Sequence, residues 1–200
     1  MRMRDLFAAA LLILLAVVGG SFLQASLTTQ APVPPVEPEV EMTSAPLHDH
    51  EEPAYTSDLV IMEPSECQAT ALANVIPRLS GAGSVTWVWA ALPATPRGTK
   101  AAGYAYADHN AVSLSVQDLP CEWVPSVAMH EWMHLATWET YGEYPEAIEH
   151  GESVTELIAD CGSQVLGERF GYPTYTNYAD RAGGCSEAVL DHVAHILETV

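Results

Sequence analysis

Two histidines stand four residues apart in His130-Glu131-Trp132-Met133-His134, within a segment whose composition reads as helix. Residues four apart on a helix project from one face, so both imidazoles can reach a single cation. The carboxylate of Glu131, beside the first histidine, can then lie against a water bound to that metal. The chemistry offered by this pattern is hydrolysis by a metal-activated water, with Zn2+ the expected ion. A structural reading makes them two core histidines and a surface glutamate, and it leaves the buried imidazoles in want of partners.

A catalytic zinc site usually takes three protein ligands and keeps a position for water. The metzincin continuation would need glycine and histidine where Thr137 and Thr140 stand, so that class is excluded by its own motif. Further on, Glu156-Leu157-Ile158-Ala159-Asp160 puts two carboxylates on one helical face. Glu156 can complete the ligand set while Asp160 accepts a hydrogen bond from a ligand histidine and fixes its tautomer. With H-E-x-x-H on one helix and E-x-x-x-D on a later one, the chain resembles the gluzincins, a class of zinc peptidases. The resemblance covers residues 130–134 and 156–160 and implies Glu131 as general base, with His130, His134 and Glu156 as zinc ligands. It also implies Asp160 as the partner of a ligand, His130 first. Glu152, Glu187 and His150 stay open as alternative third ligands, and Glu187-Ala-Val-Leu-Asp191 repeats the spacing. The class also uses a histidine or tyrosine to stabilise the oxyanion; Tyr141, Tyr144, Tyr172, His150 and His195 are the candidates here.

The elements that must position these groups follow from local pattern. A helix is expected over 66–76, ended by Pro77, and a β-rich strand over 85–90. Residues 103–107 and 111–116 flank Asp108-His109-Asn110 and suggest a hairpin. The alternation from Val112 to Val116 is that of a half-exposed strand, and the resemblance implies an edge strand that pairs with substrate. The motif helix should run from Pro125 to Tyr141 and stop at Gly142; a second should span 149–170 and a third should start after Ser186. The tryptophans read as core. The fold class expected is α+β: a small zincin-like domain whose short, mostly antiparallel sheet precedes the motif helix and two further helices.

Arg2 and Arg4 precede an apolar run from Leu6 to Val18, the pattern of a signal peptide or signal anchor over 1–27. Residues 28–58 are rich in proline and glutamate and read as a disordered linker, in which the acidic histidine cluster at 48–52 reads as solvated. The folded domain is expected over 59–200. Export makes two disulfides the expected state of Cys67, Cys121, Cys161 and Cys185. Three connectivities are possible, and Cys67–Cys121 with Cys161–Cys185 is preferred. A formal charge of −19 disfavours nucleic acid and anionic lipid as partners. The expectation is a secreted or membrane-anchored monomeric zinc peptidase acting on peptide or protein. The rivals are a catalytically silent zinc-binding module of the same fold and a zinc hydrolase of non-peptide amides.

Overall fold

The computed structural model describes residues 59–93, 100–174 and 176–200, all within the second of the chain's two units, Pro46–Val200. The expected leader, the linker and its histidine cluster lie outside the described residues.

The first helix, α1 (Glu66–Val75), starts where a reciprocal cap can form. The Ser65 hydroxyl accepts from the Gln68 amide at 3.2 Å, and the Gln68 side chain accepts from the Ser65 amide at 2.9 Å. The Gln68 side-chain nitrogen donates onward to the carbonyls of Val116 and Leu119, at 3.0 and 2.8 Å. Together with the Cys67–Cys121 disulfide, these bonds fasten α1 to the chain leaving the sheet.

Strands β1 (Val60–Ile61), β2 (Thr86–Ala91), β3 (Gly103–Tyr106) and β4 (Ala111–Ser115) form one sheet in the order β1-β2-β4-β3. The expected hairpin is β3–β4, closed by a tight turn in which Asn110 takes a left-handed φ of 45°. The sheet is mostly antiparallel, as expected, through β1–β2 and β3–β4, with β4 parallel to β2. One expectation is corrected: β4 is not half-exposed but an interior strand buried at all five positions, and β3 lies at the edge beside it. Alternation fixed which side chains share a face but not which strands would flank them. Ser113 is small enough to be shut in between its cross-strand neighbours Val88 and Tyr104.

The motif helix is α2 (Val124–Tyr141), with Pro125 in its first turn and Gly142 ending it at φ 74°. It packs against α1, β3, β4 and the later helices, so it is buried on nearly every side from Val124 to Thr137. Its main partner is α3 (Val154–Phe170). The two approach closely through small residues. Ser163 Oγ donates to the Ser126 carbonyl at 2.9 Å, and a Cβ on Gly162 would come within 2.6 Å of the Met133 side chain. Met133, Leu157 and Ile158 fill this interface; burying each contributes about 1.5–3 kcal/mol.

The second helix was expected from Glu149, but α3 begins at Val154. His150 and Gly151 both have positive φ, 50° and 83°, which no right-handed helix accepts. They form the two-residue turn of a small hairpin, β5 (Ile148–Glu149) with β6 (Glu152–Ser153). A short helix not foreseen, α4 (Tyr178–Ala182), precedes α5 (Glu187–Thr199), which Ser186 caps as expected. Cys161–Cys185 pins the chain after α4 to α3, so both disulfides follow the preferred pairing and fit an oxidising compartment. No helix among the described residues is long and apolar enough to cross a membrane.

Candidate metal centre

Because α2 and α3 cross so closely, side chains from the facing surfaces of both helices converge. His130 and His134 come from successive turns of α2, and their Nε2 atoms lie 3.2 Å apart. Glu156, in the first turn of α3, places Oε2 3.3 Å from His130 Nε2 and 3.6 Å from His134 Nε2. A tetrahedral ion with bonds of about 2.0–2.1 Å has ligand atoms about 3.3 Å apart, so this triangle has the dimensions of one tetrahedral face. Among the described residues this is the group of histidine, cysteine and carboxylate ligands able to hold a metal ion.

The remaining sequence candidates are distributed unequally. Asp160 Oδ1 lies 2.8 Å from His130 Nδ1. A carboxylate there holds a proton on Nδ1, so Nε2, which faces Glu156, is the nitrogen available to a metal. Glu131 is buried against Gly103, the first residue of β3, within electrostatic reach of both histidines and Glu156. Glu152 is not a ligand: both its oxygens take the Arg181 guanidinium, at 2.6 and 3.0 Å. Glu187 is exposed in the first turn of α5, and His150 is exposed on the hairpin turn beside Glu149.

The oxyanion candidates separate in the same way. Tyr141 hydrogen-bonds His192 at 2.9 Å, with the His195 ring beside it, and Tyr172 donates to the Asn74 carbonyl at 3.2 Å. Only Tyr144 is near the ligands, its ring edge-on to His134 at 6.0 Å and close to Trp138. The sequence reading missed Tyr178. Its ring lies nearly parallel to His130, 6.1 Å away, with the Arg181 guanidinium 4.6 Å above it. It is held there by its backbone: Asp160 Oδ2 accepts from the amides of Tyr178 and Ala179, at 2.5 and 3.0 Å. A link made through main-chain amides leaves no residue-type signature, and no spacing could have flagged it.

The charges sort themselves. Burial opposes protonation of His130, but Asp160, Glu156 and Glu131 outweigh it and hold its pKa well above the ordinary histidine value. Burial also pushes Glu156 up, yet the two histidines bring its carboxyl well below the usual range. For Glu131 burial wins over the histidines and its pKa is raised. Glu156 is thus held firmly ionised, while the pKa of Glu131 is raised. Burial and the charges of Glu156 and Glu131 raise the Tyr178 pKa against the pull of Arg181, so the phenol keeps its proton as a hydrogen-bond donor. Compared with protein families, with curated proteins and with solved structures, the chain matches none.

Proposed function

We propose that this protein is an exported zinc-dependent peptidase of gluzincin type, in which His130, His134 and Glu156 hold the ion. The observation that carries the reading is the triangle of three donors from two helices with a buried carboxylate, Glu131, beside it. Two imidazoles and one carboxylate are a familiar catalytic donor set for zinc. Zinc, when bound, acts as a Lewis acid toward the substrate carbonyl and makes water acidic enough to lose a proton near neutral pH.

The chain's own residues do the rest. Glu131 takes a proton from the attacking water and later returns it to the leaving amine, a use its raised pKa favours. Asp160 keeps the His130 ring oriented. Tyr178 donates a hydrogen bond from its phenol to the developing oxyanion. An extended peptide docks along β3, the outer strand beside the motif helix, rather than along the interior β4.

The acidic surface makes nucleic acid an improbable partner; the expected substrate is a peptide or unfolded protein. Cleavage of casein and of a peptide library, for wild type beside Glu131→Gln, tests the reading. The expected outcome is zinc-dependent cleavage, lost in the variant by a factor of at least about a hundred. Stoichiometric zinc with no cleavage by either protein would favour a silent zinc-binding module, and turnover confined to small non-peptide amides would favour an amidohydrolase.

A further inference from the structure

We propose that Gly103 is a positioning residue for Glu131 and sets the register of the scissile bond, an inference that rests on the peptidase reading. A Cβ on Gly103 would lie 2.6 Å from Glu131 Oε1, 2.7 Å from its Cγ and 2.9 Å from its Cδ. Cβ atoms do not come so close to other heavy atoms. Its backbone is not in the left-handed region, so conformation alone does not demand glycine here. Contact does. Gly142, Gly151 and Gly171 are the reverse, with positive φ and open space around the missing Cβ. At Gly103 the strand backbone therefore rests directly on the base.

An independent observation comes from the ladder. The Ser115 amide donates to the Ala102 carbonyl at 2.9 Å, which makes 102 and 115 a hydrogen-bonded antiparallel pair. Such pairs alternate along the strands. The main-chain groups of Tyr104 and Tyr106 therefore turn toward β4, and those of Gly103 and Ala105 turn toward the outer edge. Among the described residues β3 has no second strand on that side. One residue thus touches the base and presents its N–H and C=O to an added strand. A peptide hydrogen-bonded to Gly103 carries its adjoining peptide bond beside Glu131.

The test compares the full chain as wild type, Gly103→Ala, Glu131→Ala and the double variant. Metal-free thermal unfolding is read first. Gly103→Ala should lower the Tm when Glu131 is present, and the fall should vanish when Glu131→Ala empties the space. Should Gly103→Ala alone fail to fold, recovery of folding in the double variant supports the same contact. Gly103→Ala should bind zinc one to one while kcat drops about a hundredfold and KM rises, because both base and register move. Adding Glu131→Asp, which withdraws the carboxylate by one methylene, should restore part of kcat in the Gly103→Ala background and only lower it in the wild type. Additive Tm changes, or a zinc-loaded Gly103→Ala within twofold of wild-type kcat, would overturn the proposal. A wild type that cleaves nothing would sink the peptidase reading, while the thermal coupling still decides whether Gly103 holds Glu131.

Discussion

The two walls of the site are built from different materials. The ligand wall consists of side chains on α2 and α3, helices of 18 and 17 residues locked together by small residues and apolar packing. The supporting wall comes from two separate short elements, a four-residue edge strand beside α2 and a five-residue helix beside α3, and it meets the site largely through main chain. Gly103 presses on Glu131 with no side chain at all, and the amides of Tyr178 and Ala179 reach Asp160. Asp160 alone belongs to both walls, since one oxygen holds His130 and the other holds α4. Metal affinity should therefore depend on the ligand wall, and turnover on Glu131 and the elements that position it, with Asp160 as the joint.

Substitutions can break that division. The largest effect is expected for His134→Ala, which removes a ligand: zinc content by mass spectrometry should fall to zero and cleavage with it. Asp160→Asn should be next, because it weakens both walls. We expect about 10–100-fold weaker zinc affinity in a chelator competition, together with a loss of turnover when zinc is saturating. Acid should weaken zinc binding at the ligand wall. The metal-free His130 has a raised pKa, so its protonated form is favoured below that value and competes with zinc as pH falls. Zinc affinity should drop by about tenfold per pH unit through the neutral range while one proton competes, and a flat profile would contradict the site.

Tyr178→Phe should leave zinc affinity within twofold and lower kcat by about 10–100-fold. Equal loss of both would place Tyr178 in the ligand wall instead. The smallest effect is expected for Arg181→Ala. Its guanidinium is partly exposed, so losing the pair with Glu152 should cost about 1 kcal/mol of stability in urea unfolding, with zinc still bound.

The same contrast explains what could be read from sequence. His130 and His134 were legible because helical period converts spacing into a shared face, and Glu156 with Asp160 because the same period repeats on α3. The start of α3 was not: composition did not reveal that His150 and Gly151 would both take positive φ and close a hairpin. Nor was the place of β4, since alternation says nothing about which strand lies outside it. Tyr178 and Gly103 were invisible for a deeper reason, because backbone contacts place them, and every residue can make those.

The most direct test of the account is zinc stoichiometry and affinity of the purified protein, measured beside Glu156→Gln. Convergence of His130, His134 and Glu156 predicts one zinc per chain, bound at least about tenfold more weakly in the variant. A wild type that binds no zinc, or a Glu156→Gln protein that binds it equally well, would contradict it.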